Sequence, residues 1–175
     1  MDDLKLFTKN DYELEQDLLG TVVHEIGHAL GFYHEQAKPT RDLSVTILFG
    51  NIIAGTEHNF VAAAPADVLE PGLPYDYRSV MHYGQYAFSS NGQITINAHI
   101  DRDLLLQRIG QRDGLSFHDI KLANIVYCDG VCAGIMNNCE RGIQNPNDCT
   151  RCICPDDFTW QFCENVLPPT GSRCS

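Results

Sequence analysis

Three histidines and a glutamate stand close together in the run His24-Glu25-Ile26-Gly27-His28-Ala29-Leu30-Gly31-Phe32-Tyr33-His34-Glu35. On a helix turning ~100° per residue, His24 and His28 lie on one face one turn apart, where two imidazole nitrogens reach the same ion. Glu25 projects beside them, near enough to touch a metal-bound water without being a ligand. Gly31 lets the chain leave the helix with φ > 0 and swing His34 back to that ion. Three neutral ring nitrogens with an open fourth position are the donor set of a catalytic Zn²⁺, one per chain. With seven histidines and fourteen glycines in the chain, such a run arises by chance in roughly 4 of 100,000 sequences. The competing reading is a surface helix with satisfied histidines, which has to explain every one of these offsets.

The elements that must position these groups are legible in part. Leu19, Val23, Ile26 and Leu30 recur at intervals of three and four, so the pattern predicts an amphipathic helix from Leu18 that stops at Gly31. Residues 1–17 hold six acids and two bases and read as a weakly ordered lead-in. A strand is expected at Val45-Thr46-Ile47, with a turn-rich stretch from Pro65 to Pro74. Tyr86-Ala87-Phe88 and Ile94-Thr95-Ile96 flank Asn91-Gly92, which is a hairpin signal. Ser116-Phe117-His118-Asp119 resembles a capping box and opens a second helix running to Tyr127. His58, His99 and His118 fall outside any ligand spacing and read as surface groups.

Composition narrows the class. The chain has 175 residues, and 12 basic against 23 acidic side chains give 12 − 23 = −11. That acidity disfavours nucleic acid and anionic membranes as partners, and no apolar run reaches the ~18 residues of a spanning helix. The start, Met1-Asp2-Asp3-Leu4-Lys5, lacks the apolar core of a signal peptide. All eight cysteines lie between Cys128 and Cys174, a density that indicates disulfides and an oxidising, extracellular setting. A zinc site built on Cys149-x2-Cys152-x-Cys154 is the rival reading. The predicted boundaries are a lead-in at 1–17, a first domain at 18–128, a disulfide-rich module at 129–166, and a linker at 167–175.

The full histidine run resembles the metzincin zinc-peptidase signature. Glu35 after His34, together with Ser79-Val80-Met81-His82-Tyr83, Arg41-Asp42, Tyr75-Asp76-Tyr77, Tyr86-Ala87-Phe88-Ser89 and Ile109-Gly110-Gln111-Arg112, narrows the resemblance to the astacin family, in a nematode-type arrangement. The resemblance implies an α+β fold: the C-terminal part of a zincin-like catalytic domain, with a zinc helix, a Met-turn and a C-terminal helix, plus a small disulfide-rich module. It implies that His24, His28 and His34 bind zinc and that Glu25 is the general base. Met81 takes the place of the Met-turn residue. Tyr83 matches a tyrosine that ligates zinc at rest and swings away to stabilise the transition state. The family ties the counterpart of Glu35 to the mature N-terminus. It also sets a twisted sheet before the zinc helix, for which the 23 residues preceding His24 are too few, so this helix is expected to expose apolar surface. His82 is expected not to be a ligand.

Cys149-x2-Cys152-x-Cys154-Pro155-x7-Cys163 resembles the second half of an epidermal growth factor-like module. That resemblance implies the pairs Cys132–Cys149, Cys139–Cys152 and Cys154–Cys163. Cys128 and Cys174 remain, either bridged to each other or each bound elsewhere. Two functional readings follow. One is a secreted zinc endopeptidase acting on polypeptides through a zinc-activated water. The other is a truncated, inert product that binds partners through its disulfide-rich tail.

Overall fold

A computed structural model of the chain describes residues 11–100, 108–135 and 138–167. The chain divides between Ser116 and Phe117 into two compact units, twelve residues before the boundary expected after Cys128. The second helix therefore groups with the disulfide-rich segment. Residues 1–10 of the expected lead-in, and Cys174, lie outside the described residues.

Helix α1 (Asp11–Ala29) opens the first unit. It begins well before Leu18, so residues 11–17 are its first turns and not a lead-in. Its end follows the expectation. Gly31 has φ +86°, its N–H donates to His28 O, and Phe32 N–H donates to Gly27 O, both at 2.9 Å. This is the Schellman arrangement, which needs a left-handed residue where Gly31 stands.

The buried face of α1 is not the apolar stripe. Gly20, His24 and Gly27 are buried, whereas Leu19 is 64% and Ile26 52% exposed, with Leu18, Val22 and Leu30 also open. The glycines explain the choice, because backbone and side chains from elsewhere in the unit approach the helix where a Cβ is missing. A Cβ on Gly20 would lie 1.7 Å from Arg112 O, and one on Gly27 would lie 2.6 Å from Met81 Sδ.

Strand β1 (Val45–Ile47) alternates buried, exposed, buried and pairs antiparallel with β2 (Ile96–Ala98), placing Ile47 opposite Ile96. Val45, Ile47, Ile52, Phe60 and Ile96 form the core, with Tyr75, Tyr77 and Tyr83 packed against it. The hairpin expected across Asn91-Gly92 does not form. Tyr86–Phe88 coils through a turn, with Ala87 N–H bonded to Gly84 O and Ser89 N–H to Tyr86 O, and Phe88 takes φ +55°. Ile96 pairs with β1 instead, and the 86–89 stretch keeps a single bridge, Ser89 to Ile52. The stretch from Pro65 to Pro74 is irregular.

The second unit contains α2 (Phe117–Tyr127), the hairpin β3 (Ile143–Asn145) with β4 (Asp148–Ile153), and the short pair β5 (Phe158–Thr159) with β6 (Asn165–Val166). Disulfides join Cys132 to Cys149, Cys139 to Cys152, and Cys154 to Cys163. Arg141 lies over the Phe158 ring, 5.1 Å from its centroid. Cys128 is half-buried and bridged to no described residue.

Candidate metal centre

The helix turn and the glycine bend bring His24, His28 and His34 together, with one ligand atom from each lying within 4.8 Å of the others. Among the described residues this is the one cluster of His, Cys, Asp or Glu able to hold a metal ion. His24 is buried, and its Nδ1 lies 2.8 Å from Val80 O. His28 Nδ1 lies 2.9 Å from Phe32 O. A carbonyl only accepts, so in both rings Nδ1 carries the proton and Nε2 the lone pair. Backbone carbonyls thus orient two of the imidazoles, as outer partners do at metal sites.

The donors fit a small divalent cation. His28 Nε2 and His34 Nε2 are 3.0 Å apart, close to the ~3.3 Å that two nitrogens span on a tetrahedral ion with 2.0–2.1 Å bonds. Burial lowers the His34 pKa to about 4, reinforced by the neighbouring His28 and His24. Burial likewise lowers that of His24, against its bond to Val80. Neutral imidazole is the form a metal requires.

The other expected residues fall as follows. Glu25 is exposed on α1 beside His24. The Tyr83 ring is half-buried with its centroid 4.3 Å from that of His34, and burial raises its phenol pKa. Met81 is buried with its thioether at Gly27, directly beneath the helix turn that carries His24 and His28, and its carbonyl accepts from Glu35 N–H at 3.1 Å. Glu35 is buried. Its Oε1 accepts from Asp76 N–H and from Lys38 Nζ, each at 2.7 Å, and burial pushes its pKa up to about 7 against the pull of Lys38. His82 is fully buried with both nitrogens engaged, Nδ1 on Tyr83 O and Nε2 on the Tyr75 hydroxyl. His58 and His99 stand apart, on Gly55 O and on Thr46 Oγ1.

Several contributors escaped the sequence reading: the carbonyls of Val80 and Phe32, Gly27 beneath the site, and Arg112. Arg112 is half-buried, donates to His82 O and Gln111 O, and its charge acts on both His24 and His34. Gly27 left a trace in sequence, as a glycine in a helix interior where propensity disfavours it, and Arg112 stood within a stretch that carried the family resemblance, without a role at the site.

A mononuclear histidine centre with an adjacent glutamate is the arrangement of metal-dependent hydrolases. Residues 12–128 match the peptidase family Astacin. The chain is 46% identical over 158 residues to zinc metalloproteinase dpy-31 of Caenorhabditis elegans, covering 89% of this chain and 26% of that protein. It is 45% identical over 159 residues to Blastula protease 10 of Paracentrotus lividus, again covering 89% and 26%. In structure it resembles high choriolytic enzyme 1, a hatching enzyme zinc-protease of Oryzias latipes. That match has a TM-score of 0.56 at 40% identity and covers 62% of this chain and 52% of the other. The chain therefore belongs to the astacin family of peptidases. It spans about a quarter of the length of the curated relatives it matches, 26% in both cases.

Proposed function

We propose that the chain carries the zinc site and catalytic residues of a secreted endopeptidase acting on polypeptides, with one Zn²⁺ held by the Nε2 atoms of His24, His28 and His34. The observation carrying this reading is the convergence of three imidazoles, two of them with Nδ1 already bonded to a carbonyl. In this reading α1 is the zinc helix, and Ser79–Tyr83 is the Met-turn on which the helix rests. When bound, Zn²⁺ supplies Lewis acidity to the scissile carbonyl and lowers the pKa of water to about 7. Glu25 takes the proton of the attacking water on a carboxylate oxygen and passes it to the leaving nitrogen. The Tyr83 hydroxyl donates a hydrogen bond to the oxyanion. Before substrate binds, the Tyr83 hydroxyl would be a further group holding the ion.

Residues 129–166 are read as an epidermal growth factor-like module. The Cys132–Cys149, Cys139–Cys152 and Cys154–Cys163 bridges support that reading, and three disulfides in so short a segment favour a secreted protein.

Chelator-sensitive cleavage of a denatured protein by the zinc-loaded chain is the expected result. Glu25→Gln should keep its zinc and lose cleavage; a variant cutting at the wild-type rate removes Glu25 as the base. Stoichiometric zinc without turnover favours the alternative, a binding module with a vestigial metal site.

A further inference from the structure

The main chain of Tyr83 is held from both sides by buried side chains. Its N–H donates to Gln36 Oε1 at 3.0 Å, and its C=O accepts from His82 Nδ1 at 2.6 Å. These bonds grip the two peptide planes that meet at the Tyr83 Cα, and because each plane is rigid they fix φ and ψ together. Gln36 and His82 are both fully buried. The Tyr75 hydroxyl lies 2.6 Å from His82 Nε2, and it must be the donor, because the proton of that ring sits on Nδ1 facing the carbonyl. A third contact closes the arrangement: a Cβ on Gly110 would lie 2.4 Å from Gly84 Cα and 3.2 Å from Tyr83 C, so two glycine backbones abut where Tyr83 ends.

Gln36 is an unexpected choice for mere packing. Its Nε2 is buried without any hydrogen-bond partner, a cost that an apolar side chain of the same length avoids. The compensating feature is Oε1 on the Tyr83 amide. Beyond the clamp, the phenol ring is only half-buried and rests against His34, Phe60 and Phe88, with centroids 4.3, 5.8 and 5.6 Å away.

We propose that Gln36 and His82, the latter steered by Tyr75, are positioning residues that immobilise the Tyr83 backbone so that its phenol moves only through its side-chain torsions beside His34. None of the three touches the reacting atoms. The proposal rests on the reading of the imidazole cluster as a metal site and of Tyr83 as its neighbour.

Two measurements that need no turnover test it. The first is hydrogen exchange of the Tyr83 amide in the metal-free chain. Gln36→Met leaves that N–H without its acceptor and should exchange about tenfold faster, with amides of β1 and β2 unchanged. The second is ¹⁹F NMR of the chain carrying 3-fluorotyrosine and loaded with Co²⁺, with the Tyr83 signal assigned through Tyr83→Phe. The wild type should give one Tyr83 signal displaced by the paramagnetic ion. In Gln36→Met, and more weakly in Tyr75→Phe, that displacement should shrink or split. A merely structural role for Gln36 would lower the melting temperature without altering the Co²⁺ displacement. Tyr75→Phe removes a single hydroxyl and keeps the test available if Gln36→Met does not fold. Displacement retained in the folded variants overturns the clamp. A wild type showing no displacement overturns the metal-site reading instead, and the amide measurement then decides the clamp alone.

Discussion

Replacing Gly27 by alanine separates two opposing effects whose sizes can be worked out. In the interior of an exposed helix, Gly→Ala stabilises by about 1 kcal/mol through backbone entropy. Here the new Cβ would lie 2.6 Å from Met81 Sδ and 3.3 Å from its Cε, against the ~3.5–4.0 Å of relaxed contact. Either the thioether or the helix must move by about 1 Å, and Met81 is only 3% exposed, so little open space receives it. Overpacking of this kind costs about 1–3 kcal/mol. Gly27→Ala should therefore destabilise by up to about 2 kcal/mol rather than stabilise by about 1. Met81→Ala alone should cost about 2–5 kcal/mol. On that background the obstruction is gone, so Gly27→Ala should regain its stabilising sign, giving a coupling of about 1–3 kcal/mol between the two sites. Urea denaturation of the oxidised, metal-free chains, followed by far-ultraviolet circular dichroism, measures all four corners of the cycle. Additive effects, with Gly27→Ala stabilising in both backgrounds, would show that the helix does not rest on Met81.

Other outcomes follow from the same geometry. Gly20→Ala should be worse than Gly27→Ala, because its Cβ meets the Arg112 backbone carbonyl and no second side-chain substitution relieves it; its melting temperature should be the lowest of the glycine variants. Gly31→Ala meets nothing within 4 Å but sits at φ +86°, so it should cost about 1–2 kcal/mol and weaken zinc binding by displacing His34, both readable by calorimetry. Replacing Cys139 and Cys152 together by serine opens a bridge of sequence separation 13, an expected loss of about 3 kcal/mol by loop entropy; limited proteolysis of residues 129–166 should detect it. The Asp148 carboxyl is held below its ordinary pKa by the Thr150 hydroxyl and N–H. Its small stabilising effect is thus present at neutral pH and lost on acidification through that lowered value. Thr150→Ala should raise the pKa, as followed by NMR titration.

The part of the site that was legible in sequence is the part made of short-range geometry. His24 and His28 are one helical turn apart, and the Gly31 bend is closed by bonds to residues three to five positions back, so spacing alone carried the idea of convergence. What sequence hid is long-range. The Val80 carbonyl that orients His24 is 56 residues away, and Gln36 reaches across 47 residues to Tyr83. The Asn91-Gly92 turn signal was real locally: Gly92 takes φ +76° and Gln93 N–H bonds to Asn91 Oδ1. It misled because Ile96 pairs with Ile47 across the two-stranded sheet instead. For α1, the exposed stripe of Leu19, Ile26 and Leu30 matches the expectation of uncovered apolar surface, but nothing in the pattern pointed to the face that is buried. Close backbone approach at Gly20 and the Met81 thioether at Gly27 decided it instead, and apolar periodicity does not register the absence of a Cβ.

The central claim is that three imidazoles, prearranged by a helix turn and a glycine bend, hold one zinc ion. Equilibrium dialysis of the correctly oxidised chain against buffered zinc, with the bound metal counted by atomic spectrometry, tests it most directly. One zinc per chain is expected, falling to none in His28→Ala. A folded wild type that takes up no zinc, or a His28→Ala chain that binds as much as the wild type, would contradict the account.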